Sequence, residues 1–307
     1  MSFGPAHDAY ARPVTDRKNA TDVAPDPVTT TSGGILRPEE FSRHVELVRR
    51  PAPPEISRWV ENYWFLRWDL APGRWFASQV LPHPTCSLTV EFATHPRPEI
   101  PKDETVVVTG VTTTRFDVET RGWGRVAGIK FRPGGLAALT GRSAAAWTDR
   151  VVPVRNLLPA SAEHALGEPR LATDPDAWMD VAASVLRDLP VDDDPRYTEL
   201  LTIVADMLAD RTLVTVGAVG ARYGLSPRTL QRLFTHYIGV GPKWVLMRFR
   251  LHDVVAEIDD GYDGTMTDLA HRYGWYDQTH FTRDFAAIVG DTPGQYRDAR
   301  VTARPPR

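Results

Sequence analysis

From residue 56 to residue 133 the apolar positions come in short runs broken by turn residues: YWFLRWDL, WFASQVL, CSLTVEFA, ETVVVTGV, RFDVET and GRVAGIKF. Within SLTVEF, Leu88, Val90 and Phe92 alternate with Thr89 and Glu91, the period of a strand with one buried face. Several such runs, roughly ten residues apart, predict a β-sandwich or barrel. After Pro133 the pattern turns helical, with GGLAALTG, SAAAWTD and then DPDAWMDVAASVLRDL, where Trp178, Val181, Val185 and Leu186 recur at helical spacing. From 196 the strand pattern is gone. RYTELLTIVADMLAD predicts a helix with Leu200, Ile203, Val204 and Leu208 on one stripe. GPKWVLMRFRLHDVVAEI predicts a longer one, with Pro242 at its first position and Met247, Leu251, Val254 and Ile258 in a line. Eighteen residues of helix span about 27 Å.

These textures divide the 307 residues in a way that suits two domains. Residues 1–36 have few large apolar groups and no period, which predicts a disordered tail, since such a segment buries too little to offset its ordering entropy. The β-rich domain is expected over 37–190 and an all-helical domain over 196–300, with DLPVDDDPR between them and 301–307 as a second tail. The fold class is α+β.

Inside the helical half lies an internal repeat. The segment VGARYGLSPRTLQRLFTHYIGVGP, from Val219, matches LAHRYGWYDQTHFTRDFAAIVGDTP, from Leu269. Arg222-Tyr223-Gly224 returns 50 residues later as Arg272-Tyr273-Gly274, and Phe234, Gly239 and Pro242 return 51 later as Phe285, Gly290 and Pro293. Each copy reads as a short helix, a glycine turn (Gly224 or Gly274), a capping residue (Ser226 or Asp277) and a second helix. Gly220 and Ala270 are the small residues where two steeply crossing helices approach. This is the grammar of a helix-turn-helix, and two copies in register make it specific.

The segment 196–300, and 269–297 (LAHRYGWYDQTHFTRDFAAIVGDTPGQYR) from end to end, resembles the DNA-binding domain of the AraC/XylS family of bacterial transcription regulators. Trp275 stands where that family usually has Phe, and Gly220 where it usually has Ala. Helical spacing from each cap turns Leu230, Leu233 and Phe234, and then Phe281 and Phe285, inward. It leaves Arg228, Gln231 and Arg232 on the first helix, and Gln278, Thr279, Thr282 and Arg283 on the second, facing out. Arg is bidentate to guanine and Gln to adenine, so these types suit direct readout in a major groove. The resemblance implies the same positions, a sequence-specific regulator of promoter DNA, and an N-terminal module, often cupin-like, that senses a small-molecule effector or dimerises. RNA polymerase is the implied partner if it activates. The stretch GIKFRPGGLAALTGR resembles actinobacterial members of the family.

Net charge is −3, from 36 basic and 39 acidic groups, which excludes a polybasic binder as a description of the whole chain. Residues 196–307 carry 14 basic and 13 acidic groups, yet over 222–252 Arg222, Arg228, Arg232, Lys243, Arg248 and Arg250 stand with no Asp or Glu. We expect that cluster to meet phosphates. Six of nine tryptophans (Trp59, Trp64, Trp68, Trp75, Trp123, Trp147) fall in or beside the strand region, filling a β core or, in one or two cases, lining a cavity. The spacing of His83, Cys86 and His95 fits no metal-ligand grammar, and Pro133-Gly134-Gly135 lacks the Lys and third Gly of a phosphate loop, so no metal or cofactor is expected. One cysteine also disfavours an alkyltransferase fused to such a DNA-binding domain, the enzymatic alternative, so an enzyme is not expected; near-neutral charge disfavours an architectural DNA binder. With no apolar run near 18 residues and no secretory start, the expected place is the cytoplasm, at the nucleoid, with no membrane partner.

Overall fold

The computed structural model describes residues 33–168, 173–190 and 193–303. Eight strands come first: β1 (Glu46–Pro51), β2 (Val60–Asp69), β3 (Trp75–Val80), β4 (Ser87–Ala93), β5 (Val106–Thr109), β6 (Phe116–Arg121), β7 (Trp123–Phe131) and β8 (Val151–Pro153). All six apolar runs form strands; β1 and β8, edge strands with little alternation, do not stand out in the sequence. The helices are α1 (Pro38–Phe41), α2 (Gly135–Thr140), α3 (Ala160–Leu166), α4 (Pro175–Arg187), α5 (Pro195–Ala209), α6 (Val216–Tyr223), α7 (Pro227–Tyr237), α8 (Pro242–Asp259), α9 (Met266–Arg272), α10 (Gln278–Val289) and α11 (Pro293–Ala303).

Strands pair antiparallel in the order β1-β2-β7-β4-β5-β8, and β3 pairs β6 in a separate two-stranded sheet. The alternation in β4 sorts residues between two covered faces. Leu88 and Val90 join Tyr63, Val108, Ile129 and Phe131 in a core packed against α2–α5, where the rings of Tyr63 and Phe65 meet Trp178 edge-on at 6.1 and 5.8 Å. Thr89 and Glu91, on the other face, look across to the β3–β6 ribbon, and a cavity lies between the sheets. On α4 the buried stripe is Trp178, Ala182 and Leu186, with Val181 and Val185 at its edges.

Two tail expectations need correction within the described residues. Residues 33–36 join the fold: the Leu36 amide donates to the Gln79 carbonyl at 2.8 Å, Ile35 bridges Val80, and Leu36 is buried. α11 also runs on to Ala303. Residues 1–32 and 304–307 lie outside the described residues.

The two halves share a core. The cluster around the sheet continues without a break through α5, α6, α7 and the start of α8, reaching Leu230, Phe234 and Phe249. Pro133-Gly134-Gly135 is the joint: Gly134 sits at φ 79°, and a Cβ there would lie 2.9 Å from both Leu200 and Tyr237. Those glycines serve close approach, which explains a motif that suits no phosphate.

Candidate nucleic-acid interface and internal cavity

Each repeat folds as a helix-turn-helix with the same parts in the same places. α6 starts at Thr215, whose hydroxyl accepts from the Ala218 amide at 3.1 Å, and ends on Gly224 at φ 65°. α7 starts at Ser226, which caps the Thr229 amide at 3.1 Å. In the second copy Thr265 caps α9, Gly274 turns at φ 78°, and Asp277 accepts from the His280 amide at 2.7 Å at the start of α10. The turns close identically, Leu225 N–H onto Gly220 and Trp275 N–H onto Ala270, both at 2.9 Å. A Cβ at Gly220 would stand 2.6 Å from the Leu225 carbonyl, so the departure from Ala there answers a tighter crossing.

Burial follows the expected helical period. Leu230, Leu233 and Phe234 face in from α7, and Phe281 and Phe285 from α10. Trp275 is buried against Phe281, with ring centres 5.1 Å apart, and its indole N–H donates to Asp284 at 3.0 Å. Arg228, Gln231 and Arg232 share one exposed face of α7. Gln278, Thr279 and Arg283 share one of α10, with Thr282 half-buried among them. Two of these amides are held within the chain: Gln231 donates to Thr235 at 3.1 Å, and Gln278 accepts from Thr267 at 2.7 Å. Two exposed residues stand beside them that helical period does not single out, His280 on α10 and Tyr276, 87 % exposed in the turn before it. A large aromatic directly before a helix cap was the available signal.

The basic cluster over 222–252 divides, and its expected role shrinks. Arg222 reaches back to Asp210 at 2.6 Å, and Tyr223 donates to Asp206 at 2.6 Å, both on or beside α5. The second copy repeats this: Arg272 pairs with Glu257 of α8, and Tyr273 donates to the same carboxylate at 2.6 Å. The Arg-Tyr pair of the repeat is thus a clamp onto the preceding long helix. Arg250 donates to the Val214 carbonyl, and Arg248 is buried, its guanidinium on the Thr113 carbonyl at 3.1 Å and over the Trp244 ring at 4.5 Å. Desolvation brings Arg248 down to about 10. Of the six, only Arg228, Arg232 and Lys243 are exposed without a protein partner among the described residues.

The cavity measures about 440 Å³, within the range of small-molecule sites. Its floor is the face of the large sheet that carries Thr89 and Glu91, and its roof carries Val80, Phe116 and Val118. Trp64 and Trp68 lie on the floor, because their rings cover Gly128 and Gly124 of β7, where a Cβ would come within 2.2 and 2.0 Å. The expected aromatic β core is therefore divided: Trp147 is buried in the core, Trp64 and Trp68 line the cavity, and Trp75 and Trp123 are more than half exposed. Polar groups gather at one end. Glu91 takes both Nε and Nη2 of Arg97, at 3.0 and 2.6 Å, and Lys130 donates to Glu61 at 2.9 Å. His83 and His95 line the same space, whereas Cys86 belongs to the core and burial pushes its thiol up to about 12, the reverse of an activated nucleophile. Sequence alternation signalled that Thr89 and Glu91 leave the core, but it carries no information on what covers them.

Two helix-turn-helix units joined by one 18-residue helix define the class of the C-terminal half. Residues 219–299 match a family model described as a helix-turn-helix domain, and 48–153 match a domain of unknown function (DUF6597). The chain therefore carries a C-terminal helix-turn-helix domain. It is 32 % identical over 105 residues to the HTH-type transcriptional activator RhaS of Escherichia coli O139:H28, covering 34 % of this chain and 37 % of that one. To RhaS of Salmonella arizonae it is 29 % identical over 117 residues, 38 % and 41 % of the two chains. The match spans about two fifths of the length of these curated relatives. Among solved structures, an AraC-type regulator from Chromobacterium violaceum aligns at 22 % identity and TM-score 0.31, over 36 % of this chain and 96 % of that one. ToxT from Vibrio cholerae aligns at 11 % identity and TM-score 0.34, over 83 % and 97 %. No helix among the described residues is long and apolar enough to cross a membrane.

Proposed function

We propose that the protein is a sequence-specific transcription regulator that binds promoter DNA with both helix-turn-helix units and responds to a small molecule in its N-terminal cavity. The observation that carries the reading is the pair of matched units, each presenting a polar, exposed face on its second helix. Arg228, Gln231 and Arg232 of α7 read one major-groove segment, and Gln278, Thr279, Thr282 and Arg283 of α10 read the next. α8, about 27 Å long, sets their spacing near one duplex turn. Tyr276 and His280 extend the second surface. The named relatives are activators, so the reading includes contact with RNA polymerase, with the cavity domain also able to pair two copies of the chain.

Binding of the full chain to promoter fragments and to random DNA across a salt series tests this. Arg232→Ala and Arg283→Ala should each cost about 1–3 kcal/mol and relax preference at particular base pairs. A specificity ratio near one at all salt concentrations, or a footprint limited to one groove segment, refutes it.

A further inference from the structure

The cavity holds more positive charge than its carboxylates answer. Arg49, Arg97 and Lys130 line it, against Glu61 and Glu91; Glu119, at the rim, is engaged from outside by Arg121 at 2.5 Å. Arg97 is nearly buried, with a side chain 11 % exposed, and spends Nε and Nη2 on Glu91. Its Nη1 has no partner among the described residues. A buried guanidinium nitrogen left without an acceptor is costly, and it calls for an oxygen from something that enters the cavity.

The strand register says where such an oxygen fits. Ser87 of β4 stands between Lys130 of β7 and Thr109 of β5, and Arg97 Nη2 reaches Thr109 at 3.4 Å. Two strand spacings, about 10 Å, therefore separate the root of Lys130 from the residue that Arg97 touches. One residue further along the same face begins the Trp64 platform over Gly128, with Leu66, Val126 and Trp68 beyond it. Burial holds the Lys130 ammonium below its ordinary range despite Glu61, and Arg49 pushes the same way. A polar, cation-rich end thus passes into a flat apolar floor.

We infer that the cavity takes a small amphipathic monoanion, a carboxylate with a flat apolar body, its head between Arg97 and Lys130 over Ser87 and its body on Trp64. This rests on the effector reading above and names the ligand's chemical class. A cationic ligand meets the unpartnered Nη1 of Arg97, which can only donate, and Arg49, which no cavity carboxylate answers. A neutral one leaves the surplus unanswered.

Calorimetry on the full chain with one ring system in three charge states tests the inference: indole-3-acetate, indole-3-acetamide and tryptamine. The acid should bind at least tenfold tighter than the amide, about 1.4 kcal/mol, and the amine should not bind. Arg97→Gln alone leaves Glu91 buried and unpaired and threatens folding, so the paired change Arg97→Gln with Glu91→Gln is the main variant; it should abolish the preference for the acid. Arg49→Gln, at an exposed position, should reduce that preference several-fold. Equal binding of acid and amide, preference for the amine, no binding of any of the three at millimolar concentration, or an undiminished preference in the double variant overturns the proposal. DNA affinity is measured in parallel. An acid-selective ligand that leaves DNA affinity unchanged refutes the effector reading and supports the ligand class, whereas an amide-selective one that shifts it does the opposite.

Discussion

The two helix-turn-helix units share caps, turn glycines and clamp residues, yet the rest of the molecule supports them in different ways. The first is fused to the N-terminal domain. Phe234 and Tyr237 belong to a core continuous with Leu136, Ala144 and Trp147, and Gly239 lies so close to the N-terminal domain that a Cβ would come 2.0 Å from Thr148 Oγ1. The second has its own core, built on Phe281, Phe285 and Tyr296, into which the N-terminal domain sends Leu36 and Leu81. Its other ties are polar: Arg37 to Asp291 at 3.1 Å, Arg115 to the Val289 carbonyl, and Arg300 to Glu39 at 3.2 Å. Apolar burial is worth about 25 cal/mol per Å², while exposed ion pairs contribute about 1 kcal/mol or less. The first unit therefore stands or falls with the cavity domain, and the second is free to loosen separately.

Matched positions in the two units should give the largest difference. Phe234 and Phe285 are both fully buried, so either change to Ala should cost about 3–5 kcal/mol. Phe234→Ala should lower a single melting transition of the whole chain. Phe285→Ala should split off an early transition, with hydrogen exchange accelerated in α9–α11 and unchanged in α7. The same pattern for both variants would show that the units are supported alike.

A smaller effect lies in α8, which links them. His252 is buried with a ring nitrogen 3.0 Å from the Pro82 carbonyl and its ring 4.3 Å from that of His83, so the spacer helix touches the cavity wall. Desolvation pushes its pKa down to about 4, with Arg248 and Lys130 also disfavouring the charge and the Pro82 carbonyl opposing them. Between about 4 and the unfolded value near 6.5 the unfolded chain binds the extra proton, so stability is complete above 6.5 and falls as pH drops through that window. At pH 5 the loss is about 2 kcal/mol. Denaturation at pH 7 and pH 5 checks it, and His252→Gln should remove most of the difference.

The smallest expected effect sharpens the polar ties. Arg115→Met should change global stability by about 1 kcal/mol or less, yet raise hydrogen exchange at the C-terminal end of α10 and not in α7. Equal exchange in both helices would argue against separate loosening.

Much of this was legible in the chain. Local rules carry the two turns: Gly224 and Gly274 take the left-handed backbone, and Ser226 and Asp277 supply cap oxygens, all within a few residues of where they act. Helical period alone separated Phe281 from Arg283. Charge is less legible, because a run of cations says nothing about distant partners. Arg222 finds Asp210, and Arg248 finds Thr113 across the chain, so half of the apparent phosphate-binding cluster is structural. The cavity was hidden for the same reason: β4 shows that Thr89 and Glu91 share a face, but whether water or a second sheet covers that face depends on β3 and β6.

Local pattern in the chain is enough for six of the eight strands, the paired helix-turn-helix grammar and the outward faces of α7 and α10. Each of these follows from backbone geometry and periods of a few residues. Only the tertiary structure decided which arginines remain free, which tryptophans line a cavity and which helix-turn-helix unit shares the β domain's core. Those outcomes depend on side chains separated by up to 261 positions, from Glu39 to Arg300, and packing sets such meetings.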